Sequence, residues 1–125
     1  VKKEIFNIHD HNGIRWVFQL RVGLSPLKSH KFKHHFSDTP SSICICAQNE
    51  ETTRHFLFEC PIFNCKRRTL LSKIDHILLL NDLDNISDIN KVKLLLYGYE
   101  KLNLIENREV IKATICFIRQ SGRFA

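Results

Sequence analysis

The chain contains no methionine, even at position 1, which predicts that it is a piece of a longer polypeptide. It has no secretory signal, and no apolar run approaches the roughly 18 residues that a membrane span requires. Its cysteines are odd in number and include no C-x-x-C pair, which argues against a disulfide framework and against a thiol redox protein. These absences fit a reducing intracellular compartment best.

Four potential metal ligands are present in one short, polar-flanked stretch. They form a C-x-C-x8-H-x4-C pattern made by Cys44, Cys46, His55 and Cys60. Three thiolates and one imidazole suit tetrahedral Zn²⁺, and four protein ligands leave no open position for catalysis. The pattern therefore predicts a structural zinc site and not a hydrolytic one.

Local backbone geometry is expected to bring the first three ligands together. If their segment is extended, Cys44 and Cys46 point to the same side without any special turn. Thr52 or Thr53 can cap a short helix that carries His55 in its first turn.

The fourth ligand needs a break in that helix. On a continuous helix, His55 and Cys60 would point about 140° apart and would not converge. Because a residue before proline is pushed out of the α region, we expect the helix to break at Cys60. Pro61 then suits the first position of the next helix.

Other interpretations of the cysteines and the histidine are open. Free cysteines are often small buried hydrophobic residues, and a lone histidine beside phenylalanines is often a hydrogen-bonded core residue. Cys65 offers an all-cysteine ligand set in place of His55, although a helix that starts at Pro61 would carry it away from the site. Cys116 lies on an apolar helix face and is expected in the core.

Positive charge is concentrated at the N-terminal end of the chain, whose formal net charge is +6. Residues 1–36 carry seven basic and two acidic side chains, or +5, and the remainder carries twelve and eleven, or +1. Such a basic stretch suits phosphate contacts, and the aromatic residues interleaved with it suit base stacking. Those aromatic residues are Trp16, Phe18, Phe32 and Phe36. Taken alone, the aromatic residues favour a core-facing stripe, so the charge asymmetry is the better indicator.

Apolar periodicity predicts a series of helices and no clear strand or repeat. The first spans roughly residues 13–22, and Ser25 with Pro26 opens a second that runs to about Phe36. Lys28, Lys31 and His35 would align on the second helix, either along phosphates or as a solvated face. A polar loop, residues 37–43, leads into the metal site.

Three further helices are predicted after the metal site. One follows Pro61, a break covers residues 81–85, Ser87 caps the next helix before Gly98, and the last begins near residues 105–106 and ends at Gly122. Their expected buried residues are Leu70, Leu71, Ile74, Ile77 and Leu78, then Ile89, Val92, Leu95 and Leu96, then Val110, Ile111, Thr114, Ile115 and Ile118.

These patterns predict a mainly α fold class, a small helical domain with an embedded CCHC zinc knuckle. Residues 1–36 form a basic helical segment, 37–64 the knuckle and 65–125 the C-terminal helices. Isolated helices of this length are marginal, so we expect the three parts to pack as one unit.

Several short motifs carry a resemblance to a known family. They are LRVGLS at residues 20–25, Leu27, His30, C-I-C at residues 44–46, ET at 51–52, HFL at 55–57 and CP at 60–61. The chain resembles the C-terminal region of non-LTR (LINE-type) retrotransposon reverse transcriptases, where LR-x-G-x-S-x-L-x-x-H precedes a CCHC knuckle written C-x-C…ET-x-x-H-F-L-x-x-CP. Residues 68–71, 94–98 and 113–124 are also similar to the tails of such elements.

Two departures from the family pattern matter. Ala47 stands where many members have glycine, so the turn there is expected to tolerate less strain. The chain also lacks the polymerase Y-x-D-D aspartates and the carboxylate and lysine cluster of a restriction-like endonuclease. The chain itself is therefore not expected to be an enzyme, although its parent would be an RNA-directed DNA polymerase.

The resemblance implies a non-catalytic tail that helps to hold element RNA or target DNA beside the upstream polymerase domain of the same polypeptide, with no membrane partner. The knuckle would hold Zn²⁺, and an active parent element would act in the nucleus and cytoplasm. Candidate phosphate contacts are Arg15, Arg21, Lys28, Lys31, Lys33, Arg67 and Arg68. The alternative, suggested by the apolar C-terminal helices, is a zinc-stabilised structural or protein-interaction module without nucleic-acid affinity.

Overall fold

Five α-helices form in the parts of the chain that the structure, a computed structural model, describes: residues 8–78 and 86–124. They are α1 (His11–Val22), α2 (Lys28–Lys33), α3 (Asn64–Leu78), α4 (Asp88–Tyr97) and α5 (Leu104–Ser121). A π-helical turn, His55–Glu59, and a 3₁₀ turn, Pro61–Phe63, precede α3. Strand pairing within the described residues is limited to one isolated antiparallel bridge between Ile43 and Glu50. The predicted mainly α class is confirmed.

The longest helix, α5, lies at the centre and packs against α1, α3 and α4. Its start is fixed by a capping box, in which Glu106 N donates to Asn103 Oδ1 at 2.8 Å and Asn103 N donates to Glu106 Oε1 at 3.0 Å. Its end is set by Gly122, whose φ of 67° is the left-handed conformation that glycine favours. The predicted buried face is confirmed at Val110, Ile111, Thr114, Ile115 and Ile118.

The start of α1 lies earlier than the sequence predicts. Gly13 N donates to the Asp10 carboxylate at 2.9 Å, and this cap lets the helix begin at His11. Gly13 therefore lies inside the helix, where a Cβ would collide with Ile115 of α5. The absence of that Cβ allows α1 and α5 to approach closely. The predicted end at Gly23 is confirmed, because this residue caps the helix with a φ of 73°.

The second helix is shorter than predicted at both ends. The Ser25 hydroxyl accepts a hydrogen bond from Leu27 N at 3.1 Å and shares another with His30 Nδ1 at 2.6 Å. It therefore forms a local turn, and α2 begins only at Lys28. The helix ends before His35, whose φ is 62°. The predicted alignment of His35 with the lysines of α2 is wrong for this reason.

The predicted ends of α4 are confirmed, whereas α3 begins at Asn64, after a 3₁₀ turn that Pro61 opens. The predicted buried faces of both helices are partly correct. Ser87 accepts from Asn90 N at 3.4 Å and Gly98 ends α4, as predicted. The buried residues of α4 are Leu94, Leu95 and Leu96, because this helix contacts both α1 and α5. The prediction for Ile89 is wrong, since its side chain is 69% exposed. In α3, Leu70, Ile74 and Leu78 are buried, whereas Leu71 and Ile77 are half-buried.

The predicted break at residues 81–85 lies outside the described residues. Among the helices in the two described ranges, none combines the length and the apolar character needed to cross a membrane.

An aromatic cluster joins the metal-site segment to the helical core. The Phe56 ring lies 5.2 Å from Phe117 of α5, 5.4 Å from Phe63 and 5.7 Å from Phe124, measured between ring centroids. Phe124 also meets Trp16 of α1 edge-on at 6.3 Å. Such tilted and edge-on pairs contribute about 0.5–1.5 kcal/mol each beyond the burial of their area. The segment around His55 is therefore held by the same core as α1 and α5.

Candidate metal site and its supporting contacts

The structure brings the four predicted ligands together. Their ligand atoms all lie within 4.8 Å of one another, with Cys44 Sγ 3.7 Å from Cys60 Sγ and Cys46 Sγ 3.3 Å from His55 Nε2. Three of the four residues are buried, and Cys46 is half-buried. The 3.7 Å between sulfurs exceeds the roughly 2.05 Å of a disulfide bond. This cluster could hold a metal ion.

A tight turn, and not an extended strand, positions the first two cysteines. Ala47 N donates to Cys44 O at 2.8 Å, which closes a four-residue turn around Cys46. The N–H of Cys44 donates to Asn49 O at 2.9 Å, which ties the start of the turn to the segment that follows it. The prediction that C-x-C needs no special turn is therefore wrong. Ala47 adopts a φ of 64° in this turn, a left-handed conformation that costs a residue with a Cβ about 1–2 kcal/mol.

A π-helical turn solves the angular problem between the last two ligands. Thr52 caps this segment by accepting from His55 N at 3.1 Å. Cys60 N then donates to His55 O at 2.7 Å, the i to i+5 bond of a π turn. The helix breaks at Cys60, which has extended φ and ψ of −63° and 122°, and Pro61 begins the 3₁₀ turn. The predicted break is confirmed, and the π turn is the part that sequence reasoning missed.

The three sulfurs of the cluster differ in their electrostatic surroundings. The N–H of Gln48 is the main reason that the pKa of Cys46 is lowered to about 7. Burial raises the pKa of Cys44 to about 12 and also raises the pKa of Cys60. The backbone N–H groups of Cys46 and Ile62 act in the opposite direction and lower these pKa values, but by less. Two buried thiols are thus costly to ionise unless a cation lies beside them. Such a set of donors is suited to thiolates that surround a metal ion.

The second ring nitrogen of His55 faces an acidic side chain. His55 Nδ1 is buried and has no hydrogen-bond partner within the described residues, and it lies 3.7 Å from Glu59 Oε1. Arg54 Nε donates to the other oxygen of Glu59 at 3.0 Å. A carboxylate in this position typically orients a metal-binding imidazole. Glu59 is therefore placed to hold the ring with Nε2 toward the sulfurs.

Arg67 lies beneath the protein surface and bonds to the backbone of the segment that carries His55 and Cys60. The sequence predicted it as a phosphate contact. Its guanidinium donates to the carbonyl oxygens of Phe56, Leu57 and Cys60 at 2.8–3.0 Å and to Asn64 Oδ1 at 3.0 Å. The residue is only 5% exposed, and burial lowers the pKa of its side chain. The prediction that Arg67 contacts phosphate is wrong, because its donors satisfy the carbonyls at the end of the π turn.

The two remaining cysteines lie apart from the cluster. Cys65 is exposed at the start of α3, as expected from its place on a helix that leaves the site. Cys116 is half-buried, and Lys73 Nζ lies 4.0 Å from its sulfur. The prediction that Cys116 lies in the core is therefore wrong. The ligand set made of four cysteines is therefore not assembled.

The other members of the quoted motifs also contact the metal-site segment. His30 Nε2 lies 3.3 Å from Thr53 Oγ1, so the ring links Ser25 to this segment through its two nitrogens. Burial lowers the pKa of His30. Glu51 is 2% exposed, accepts from Lys28 N at 2.7 Å and pairs with Arg123. Sequence reasoning did not assign these supporting roles.

The candidate phosphate contacts differ in how accessible they are. Arg15, Lys33 and Arg68 are exposed, and Lys28 is half-buried. Lys31 Nζ forms a surface ion pair with Asp38 at 2.8 Å. Arg21 is turned inward, where its Nε donates to Leu96 O at 2.8 Å and its guanidinium carbon lies 3.9 Å from the centroid of the Tyr97 ring.

The aromatic residues of the basic N-terminal segment also differ in their exposure to solvent. Trp16 belongs to the core, as the stripe interpretation expects, with 6% of its surface exposed. Phe18, Phe32 and Phe36 are 43%, 46% and 53% exposed. Three aromatic side chains therefore remain at the surface beside basic residues.

No protein family, no curated protein and no solved structure matches this chain. The similarity to reverse transcriptase tails rests on the quoted motif residues alone. The geometry of the ligand cluster and the distribution of charge are the basis for a functional conclusion.

Proposed function

We propose that the chain is a zinc-stabilised, non-catalytic nucleic-acid-binding domain, and that it forms the C-terminal region of a LINE-type reverse transcriptase. The observation that carries this proposal is the convergence of Cys44, Cys46, His55 and Cys60 on one point. In this proposal the domain holds element RNA or target DNA while the upstream polymerase domain performs the chemistry.

Zinc is the metal that fits the donor set best. Three sulfurs and one imidazole nitrogen suit Zn²⁺, whereas Mg²⁺ and Ca²⁺ prefer oxygen ligands. With zinc–sulfur bonds of about 2.3 Å, a tetrahedron has sulfur–sulfur edges of about 3.8 Å. The 3.7 Å between Cys44 and Cys60 agrees with that edge. Four protein ligands complete the tetrahedron, so the ion would be structural.

The resemblance gains support from the roles of the motif residues. The family pattern has glycine where this chain has Ala47, and Ala47 adopts the left-handed φ that glycine favours. The ET and S-x-L-x-x-H motifs supply Glu51, Ser25 and His30, which hold the loop around the ligands. A motif whose members act together in one substructure is a better indicator of family than scattered matches.

Nucleic acid is the partner that the charge distribution favours. The basic excess lies in the first 36 residues, and in the described residues Arg15, Lys33 and Arg68 are exposed without an ion pair. Exposed cations attract a phosphate backbone, and binding releases its counterions. Exposed Phe36 adds a surface on which a base can stack.

A protein-interaction module is the second candidate. It is favoured by exposed apolar side chains outside the basic segment, among them Ile62, Ile89 and Ile105, which are 47%, 69% and 68% exposed. Scattered exposed apolar residues are common on monomers, so this observation weighs less than the charge. Stable complex formation with a protein, without nucleic-acid affinity, would favour this second function.

The test is the salt dependence of binding. Zinc-loaded protein should bind labelled single-stranded RNA or DNA, and its affinity should fall as salt rises from about 50 to 200 mM. Replacing Arg15, Lys33 and Arg68 with alanine should reduce the slope of log affinity against log salt by about 2, since each contact contributes about 0.7.

A matched control removes the same charge elsewhere. Replacing the exposed Lys93, Lys101 and Lys112 with alanine should leave the salt slope close to that of the unmodified chain. Equal losses in the two triple variants would show that only net charge matters. A zinc-loaded domain that binds neither RNA nor DNA at about 50 mM salt would contradict the proposal.

A further inference from the structure

A cleft of about 320 Å³ lies between the end of α1 and the start and end of α2. This volume is at the lower end of the roughly 300–1,000 Å³ that small-ligand sites occupy. Its apolar walls include Leu24 and Phe36, and its rim carries Lys31 and His34. None of the described residues that line it is acidic. Lys31 is paired with the exposed carboxylate of Asp38 at 2.8 Å, a weak surface ion pair that a phosphate can displace. The cleft therefore combines an apolar surface with one lysine that can turn to a phosphate.

Backbone contacts fix the position of the residue that carries the aromatic wall. The left-handed φ of 62° at His35 turns the chain after α2, and Phe36 N then donates to Lys31 O at 3.0 Å. Thr39 N donates to Phe36 O at 3.1 Å on the other side. These bonds fix the backbone that carries the Phe36 ring, and 53% of the residue is exposed. Lys31 Nζ lies 5.4 Å from the centroid of the Phe36 ring, within the roughly 6 Å of a cation–π contact.

The floor of the cleft is polar and already organised. Both ring nitrogens of His30 are engaged, one by Ser25 and the other by Thr53, so this ring is a fixed surface. Gln19 also lines the cleft, and its side-chain amide makes no hydrogen bond with another described residue. That amide offers a donor and an acceptor to a flat, polar-edged ligand.

We propose that this cleft binds one unpaired nucleobase, stacked on Phe36, with the Gln19 amide at its edge and the neighbouring phosphates beside Lys31 and His34. The inference rests on the proposed nucleic-acid binding and assigns the position at which a single strand is held. A base fits better than an apolar peptide because Lys31 at the rim can exchange its exposed partner Asp38 for a neighbouring phosphate, and Phe36 offers a ring face for stacking.

The test separates base contacts from phosphate contacts. Zinc-loaded full chain is titrated with two single-stranded DNAs of about 12 nucleotides at one salt concentration. One is oligothymidylate, and the other is a stable abasic strand with the same number of phosphates. The unmodified chain should bind the base-containing strand about tenfold more tightly, within the range for one base on one aromatic ring.

Matched variants then locate the base. Phe36→Ala should reduce the tenfold ratio to about one, and Phe36→Leu, which keeps an apolar side chain, should do the same. Phe32→Ala removes a similarly exposed aromatic residue from α2 that does not line the cleft, and it should keep the ratio. Far-ultraviolet circular dichroism and zinc content should be unchanged in all three variants.

The outcomes distinguish this inference from the function on which it rests. If the unmodified chain binds both strands equally with a steep salt dependence, nucleic-acid binding stands and the base site is rejected. If Phe36→Ala keeps the ratio, or Phe32→Ala loses it to the same extent, the site is also rejected. If neither strand binds, both proposals are rejected together.

Discussion

Glu51 and Arg123, which are 72 positions apart in the sequence, form a bidentate ion pair. Arg123 Nε donates to Glu51 Oε2 at 2.7 Å, and Nη2 donates to Oε1 at 2.5 Å and to Pro26 O at 3.2 Å. Hydrogen bonding to Glu51 raises the pKa of Arg123. Since Glu51 also accepts from Lys28 N, this pair joins the metal-site loop, the start of α2 and the C-terminal end.

Removing the arginine should therefore destabilise the domain. Arg123→Ala leaves the Glu51 carboxylate buried without its cation, and we expect the free energy of unfolding to fall by about 3 kcal/mol. Urea denaturation of the zinc-loaded protein measures this change. The control is Lys112→Ala, which breaks an exposed pair with Glu109 and should cost less than about 0.5 kcal/mol. Equal losses in the two variants would contradict the role given to Arg123.

Relieving the left-handed residue in the cysteine turn should stabilise the domain. Ala47 has a φ of 64°, so Ala47→Gly should raise the free energy of unfolding by about 1 kcal/mol. The control is Gln48→Gly, at the next position, where φ is not positive. That change should lower the free energy of unfolding by about 0.5 kcal/mol, because glycine only adds freedom to the unfolded chain. A destabilising Ala47→Gly would mean that the turn is wrongly described.

Substitution of two adjacent arginines should change the free energy of unfolding by very different amounts. Arg67→Met leaves the carbonyls of Phe56, Leu57 and Cys60 without their donor, and we expect a loss of about 3 kcal/mol in urea denaturation. Its zinc affinity should also fall, because these carbonyls belong to the turn that carries two ligands. Arg68→Ala should change stability by less than about 0.5 kcal/mol, since its side chain is exposed. Similar stabilities for the two variants would contradict the assignment of Arg67 to the interior.

The cluster of Cys44, Cys46, His55 and Cys60 could be predicted from the sequence because it depends on the chemical identity of these side chains. Soft donors at short spacing restrict the possible sites, and the proline after Cys60 forces a break that the structure confirms. Helix ends at Gly23, Gly98 and Gly122 were predictable for the same local reason, since capping depends on residues within one turn.

Features that depend on distant contacts could not be read in this way. The π turn between His55 and Cys60 is one extra residue in a helix whose local sequence has no strong signal for it. Ser25 has a side chain typical of a helix cap, yet its hydroxyl bonds to His30 and so opens a turn. The partner of Glu51 lies at the other end of the chain, where no periodicity points to it.

Arg67 is an intermediate case, because a signal was available. The run Lys66-Arg67-Arg68 suggests one basic surface, but successive residues of an α-helix point about 100° apart. Arg67 is three positions before Leu70 and seven before Ile74, so it belongs to the buried face of α3. Helical periodicity applied to charged residues, and not only to apolar ones, would have placed it correctly.

The central claim is that Cys44, Cys46, His55 and Cys60 together hold one structural zinc ion. Structural zinc contributes an apparent binding free energy on the order of 10–16 kcal/mol in small domains, so the ion should remain through purification and its chelation should unfold the site.

Elemental analysis of zinc per chain tests this claim most directly. We predict one zinc in the unmodified chain, one in Cys65→Ser and in Cys116→Ser, and almost none in His55→Ala. A folded, unmodified chain that takes up no zinc, or a His55→Ala variant that retains a full equivalent, would contradict it.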